Sequence, residues 1–207
     1  PLPALSFLYY CAVALGMLLA WRFHSSRILL SLMVVFLAQQ GVSVSIAQSP
    51  YVLATVAAAA ILVPANFVLI ALMRERGFTR ESLVPSLLFL FLQCLTVTVF
   101  CGAAPRAHSV GLEVHIPQFA LIVSAATWVF LLIRFWLTRK PLDSALFWSL
   151  GSVLLALRYA GTVRTSMTYW GAAACILGAS IVENSYLLAY HDELTSLPSR
   201  RAFNDAL

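Results

Sequence analysis

Residues 52–73 read VLATVAAAAILVPANFVLIALM, a run with no charged side chain and only Thr55 and Asn66 as polar side chains. Coiled at ~1.5 Å per residue, it reaches roughly 30 Å, the hydrocarbon thickness of a bilayer. A helix that is apolar on every side belongs inside a large protein or in lipid. The composition decides between them: 61% of the 207 residues are hydrophobic and 10% charged, where soluble domains carry roughly 25% charge. Mean hydropathy is +0.90. The expected fold is therefore all-α, a polytopic membrane bundle.

Outward from this run, six further apolar stretches are bounded by charge, giving expected spans at 4–21, 28–46, 52–73, 83–101, 119–137, 142–160 and 169–188. The sixth is the weakest, since Asp143 stands at its start and Arg158 near its end. With seven spans, Arg22, Arg27, Arg74, Arg76, Arg80, Arg134, Arg139 and Lys140 fall on one side, and Arg200 and Arg201 of the tail join them. Only Arg106, Arg158 and Arg164 fall on the other. Lys and Arg favour the cytoplasmic side, so the N-terminus is expected outside and the C-terminus in the cytoplasm. The net charge of +5 follows from this topology and calls for no nucleic-acid partner. No basic residue precedes the first apolar run, the reverse of a secretory signal, so that run reads as a true span.

Charges within spans are functional candidates, because burying one costs at least ~2.5 kcal/mol. Arg134 and Glu183 lie fourteen to fifteen residues into spans of the same direction, which predicts similar depth and a candidate intramembrane pair, unless both reach to the interface instead. Gln39, Gln40, Asn66 and Gln93 suit hydrogen bonding between helices. Pro64 removes one backbone hydrogen bond from the third span. Cys11, Cys94, Cys101 and Cys175 lack metal-site spacing and read as small packing residues. His108, Glu113 and His115 in the longest outer loop are competent metal ligands, but their spacing is that of an ordinary solvated loop.

The last stretch, HDELTSLPSRRAFNDAL at 191–207, departs from all this in its density of charge. Pro198 and Ser199 are helix-start residues, and Phe203 and Leu207 are four apart on one helical face. Asp192, Leu194, Thr195, Leu197 and Arg200 stand in the register D-x-L-T-x-L-x-x-R. This stretch resembles the first residues of the GGDEF domain, the catalytic domain of bacterial diguanylate cyclases. His191, Pro198, Arg201 and Phe203 agree with common choices in that family, whereas Ser199 stands where it usually has Asn. Either residue caps a helix. The resemblance covers about twenty of the 207 residues.

The resemblance implies a membrane sensor over 1–188 and a signalling helix with the start of a cytoplasmic α/β GGDEF domain over 189–207. It implies synthesis of cyclic di-GMP from two GTP with magnesium, in a homodimer in the bacterial inner membrane. The signature loop and its metal and guanine ligands are expected beyond Leu207, so the protein is expected to be longer and no catalytic, cofactor-binding or metal residue is assigned here. The alternatives are a degenerate GGDEF nucleotide receptor, a GGDEF–phosphodiesterase fusion, or a transporter-like membrane protein. Gly171, Ala174 and Gly178 place small residues on one face of the last span, a pattern that lets helices approach closely, within the bundle or between two copies.

Overall fold

In lipid a backbone amide finds no water, so apolar chain satisfies its polar groups internally and coils into helices. The computed structural model describes residues 2–47, 52–73, 80–103 and 116–190. Among these it shows seven helices and no strand: α1 (Leu2–Arg22), α2 (Ser26–Ala47), α3 (Val52–Leu72), α4 (Arg80–Ala103), α5 (Gln118–Thr138), α6 (Pro141–Arg158) and α7 (Val163–Tyr190). Each expected span coincides with one helix.

Five of them, α1, α2, α3, α5 and α7, are long and apolar enough to cross a bilayer. The apolar part of α4, Leu83–Val99, is shorter. Helix α6 has 18 residues and carries Asp143 and Arg158 at its two ends. The expected seven crossings are thus seven helices, five of which meet the requirement by themselves. Burial explains how α6 tolerates its charge: Asp143, Leu146, Ser149, Leu150, Val153, Ala156 and Leu157 are all fully buried, so protein, not lipid, surrounds that face.

The interior is built on α3 and α6. Helix α3 packs against α2, α4, α5 and α6, and α7 packs against α1, α2 and α6. Small side chains make this possible. Ala59 and Ala60 of α3 and Ala173 and Ala174 of α7 are buried, allowing backbones to approach. Large aromatic and branched residues on the outer faces, such as Phe7, Leu18, Phe91, Ile122 and Trp136, are exposed, as lipid-facing positions should be.

Pro64 lies inside α3, which continues through it. A proline has no N–H, so the carbonyl four residues earlier, that of Ala60, loses its helical donor. The hydroxyl of Ser124 on α5 donates to that carbonyl at 3.0 Å. A neighbouring serine thus replaces the missing backbone donor, which is how membrane helices accommodate proline. The α5–α6 pair is held similarly closely: the Trp128 indole stacks on Phe147 at 4.8 Å and donates to its carbonyl at 3.0 Å. A Cβ added at Gly151 would lie 3.5 Å from that indole, in ordinary contact, so a side chain larger than Ala would press on it.

Candidate functional site: a buried ion clamp

Two tight corners place charge at one end of the bundle. Between α1 and α2, His24 adopts a left-handed backbone (φ 54°) and the Ser25 amide donates back to the Ala20 carbonyl at 2.9 Å. Between α5 and α6, Arg139 does the same (φ 53°), its amide reaching the Phe135 carbonyl at 2.8 Å. Lys140 precedes α6 in extended conformation and Pro141 begins the helix, a position where the absent N–H costs nothing. These corners bring Arg27, at the start of α2, and Arg134, near the end of α5, to Asp143 in the first turn of α6.

Asp143 is fully buried. Its Oδ1 accepts from Arg134 Nε at 3.0 Å, and Arg27 Nη2 lies 3.7 Å from the same oxygen. Its Oδ2 accepts from Thr138 Oγ1 at 2.6 Å, a proton Thr138 shares with the carbonyl of Arg134 at 2.9 Å. Arg27 is 5% exposed and spends two donors on the end of α3: Nε to the Ile70 carbonyl at 2.9 Å and Nη2 to the Ala71 carbonyl at 2.8 Å. Those carbonyls belong to the last turn of α3 and carry the negative end of its dipole. Two guanidinium groups thus meet one carboxylate and one helix C-terminus. Four helices, α2, α3, α5 and α6, are tied at one end.

The arrangement is that of an ion clamp: both oxygens of Asp143 are engaged and the carboxylate is fully buried. The sequence signal for it was present: Arg134 and Asp143 are nine residues apart across a corner marked by Pro141, and an intramembrane charge demands a partner. What sequence could not supply was Arg27, more than a hundred residues away.

The expected Arg134–Glu183 pair gives way to this arrangement. Arg134 is held by Asp143, and α5 and α7 do not pack together. Glu183 is exposed on α7. Its depth follows from the crossing of α1 and α7, where a Cβ added at Gly178 would lie 4.0 Å from the Gly16 Cα. Both helices finish at the clamped end, α1 by leading into α2 and α7 by running antiparallel to α6, so they run the same way. Five residues beyond Gly178, Glu183 lies level with the last turn of α1, at the edge of the apolar slab. From the crossing, α7 runs to Tyr190 while α1 ends at Arg22. The difference of six residues extends α7 about 9 Å further.

The same crossing assigns the small-residue face. Ala174 is fully buried and Gly178 contacts Gly16 within the chain, so these two serve the bundle itself; nothing lies within 4 Å of the position a Gly171 Cβ would take.

Of the interhelical amides, Gln40 accepts from the Tyr10 hydroxyl at 3.2 Å, Gln39 meets the Met167 sulfur at 3.7 Å, and Asn66 donates to Gln93 at 2.9 Å. Each binds a different helix, as glue does. Cys11 and Cys175 are exposed and Cys94 is half-buried, all three unbridged. No group of three metal-ligating side chains occurs among the described residues. Asp192, Leu194, Thr195, Leu197 and Arg200, together with His108, Glu113 and His115, lie outside the described residues. The sequence matches no family model, and no curated protein or solved structure matches it.

Proposed function

We propose that this chain is the membrane sensor region of a bacterial diguanylate cyclase, with seven spans, an outer N-terminus and a cytoplasmic C-terminus. The observation that carries the reading is the D-x-L-T-x-L-x-x-R register of Asp192, Leu194, Thr195, Leu197 and Arg200, which begins two residues after the end of the last membrane helix. Helix α7 is the longest of the described helices, with 28 residues, and the sequence has no Gly or Pro between Gly178 and Pro198. A rigid rod of this kind transmits rotation or sliding with little loss. The clamp at Asp143 favours the same mechanism, because it makes α2, α3, α5 and α6 a fixed frame against which α7 can shift.

In this reading a GGDEF domain follows Leu207, holds one GTP with magnesium, and meets the domain of a second copy to join two GTP into cyclic di-GMP. The membrane part sets how the two domains meet. The test is to supply membranes containing the full-length protein with GTP and magnesium and to measure cyclic di-GMP and pyrophosphate. Production that disappears when the downstream signature loop is replaced is the expected result. A downstream sequence lacking that loop, or no cyclic di-GMP under any membrane condition, ends the proposal.

A further inference from the structure

Toward the end of the bundle opposite the clamp, two buried polar atoms have no hydrogen-bond partner among the described residues: Tyr9 Oη on α1 and Gln39 Oε1 on α2. Their residues are 1% and 2% exposed. Folded proteins rarely leave such groups unpaired, and lipid offers them nothing.

Register brings the two residues to one place. Tyr10 Oη donates to Gln40 Oε1 at 3.2 Å, so residues 10 and 40 stand side by side on α1 and α2, which run antiparallel through the corner at His24. One residue earlier on each helix is a turn of ~100°. Because the two chains run oppositely, both turns lead to the same side of the pair. That side is the interior: Tyr10 is 41% exposed where Tyr9 is 1%, and Gln39 Nε2 donates to Met167 Sδ on α7 at 3.7 Å. A thioether only accepts, so Nε2 is the atom facing the sulfur and Oε1 the one left over.

Helix α7 leaves room at this level. It runs parallel to α1, and the two meet at Gly16 and Gly178. Seven residues earlier on each, about two turns, the same faces carry Tyr9 and Gly171. No heavy atom of the described residues lies within 4 Å of the position a Gly171 Cβ would take. Level with Tyr9, α7 therefore presents open space in place of a side chain, and Gly171 is itself half-buried.

We propose that this seam binds internal water, held between Tyr9 Oη and Gln39 Oε1 and tying α1, α2 and α7 together at the end opposite the Asp143 clamp. Water accepts the phenolic proton and donates to the amide oxygen. Two polar partners and room of side-chain size are what an internal water requires. Tyr9 lies seven residues into α1, about 10 Å from its start, where a charged guest is disfavoured. The burial of both side chains leaves no path for a large guest, and a lipid chain satisfies neither atom. The assignment concerns binding alone and holds whether or not the chain serves a cyclase.

The test is radiolytic footprinting of the full-length protein in phospholipid nanodiscs, in water enriched in oxygen-18. A short X-ray pulse turns bound water into hydroxyl radical where it sits, so a buried ring beside it is oxidised although bulk solvent does not reach it. After allowance for intrinsic reactivity, Tyr9 should take up oxygen-18 several-fold faster than Phe67, which is as deeply buried. Gly171→Leu, which fills the open space, should bring the Tyr9 rate down toward that of Phe67. Tyr9→Phe supplies a test of sign. Removing a hydroxyl bonded to water should lower the folded-to-unfolded ratio by roughly fivefold, the worth of one hydrogen bond, whereas removing an unpaired buried hydroxyl raises it. Circular dichroism confirms that each variant is folded, and the Tyr9–Phe67 comparison on the unaltered chain needs neither. Oxidation of Tyr9 no faster than Phe67, a Tyr9 rate unchanged by Gly171→Leu, or a gain in stability from Tyr9→Phe would overturn the proposal. A stability loss without fast oxidation would mean a direct Tyr9–Gln39 bond and overturn it equally.

Discussion

Ser124 shows how one hydroxyl completes a helix to which it does not belong. Its bond to the Ala60 carbonyl exists because Pro64 supplies no donor. Ser124→Ala should destabilise the bundle by about 1 kcal/mol. In a Pro64→Ala background, where the residue at 64 regains its N–H, the same change should cost close to nothing. Unfolding of the four proteins in mild detergent measures the coupling, and additive losses would mean that Ser124 and Pro64 act independently. Asp143 is a stronger case. Its loss takes the carboxylate away from a buried Arg27, whereas Arg134, with a side chain 23% exposed, can turn toward solvent. Asp143→Ala should therefore cost about 3 kcal/mol, the lower end of the range for breaking a buried pair, and Arg134→Ala clearly less. Equal losses for the two would place the clamp's weight elsewhere.

The helices themselves were legible in the sequence because lipid leaves them no alternative: each apolar run became one helix, with limits within three residues of those expected except at α7, which begins six residues earlier. The partners were not. Small residues at three- and four-residue spacing on α7 announce a close contact without naming the other surface, and the structure gives it to Gly16 of α1. A Cβ at Gly178 meets only that backbone atom at 4.0 Å, while a Cβ at Gly16 would come within 2.9 Å of Leu32 Cδ1. Gly178→Ala should thus be nearly neutral, Gly16→Ala should require Leu32 to move, and Gly178→Leu should force α1 and α7 apart at a cost of about 1–3 kcal/mol. Thermal unfolding ranks the three. A harmless Gly178→Leu would show that α1 and α7 are not held at this crossing.

Across the described residues, Leu2 and Tyr190 lie at opposite ends of the bundle: α1 begins far from the clamp and α7 finishes on its side. Among the described residues, Arg22, Arg27, Arg134, Arg139 and Lys140 gather at the clamped end, against Arg158 and Arg164 at the other. This is the asymmetry that sets orientation. A reporter joined after Leu207 that works only outside the cytoplasm should stay silent, and one joined before Pro1 should be active. The reverse pattern would invert the molecule and remove the proposed cytoplasmic output.

Hydropathy along the chain determined that this protein is helical and membrane-embedded, because the cost of an unpaired backbone group in hydrocarbon depends only on local sequence. Charge order likewise determined the expected orientation. The destination of each polar side chain was decided by tertiary structure. Arg134 had a carboxylate nine residues away in Asp143 and another at the matching place in a span, Glu183, and sequence depth alone preferred the second. Packing preferred the first, since α5 touches α6 and not α7, and a buried charge pairs with what the neighbouring helix brings within about 3 Å. The water site beside Tyr9 is equally a product of assembly, formed where α7 packs on α1 and α2, and no local run of residues contains it.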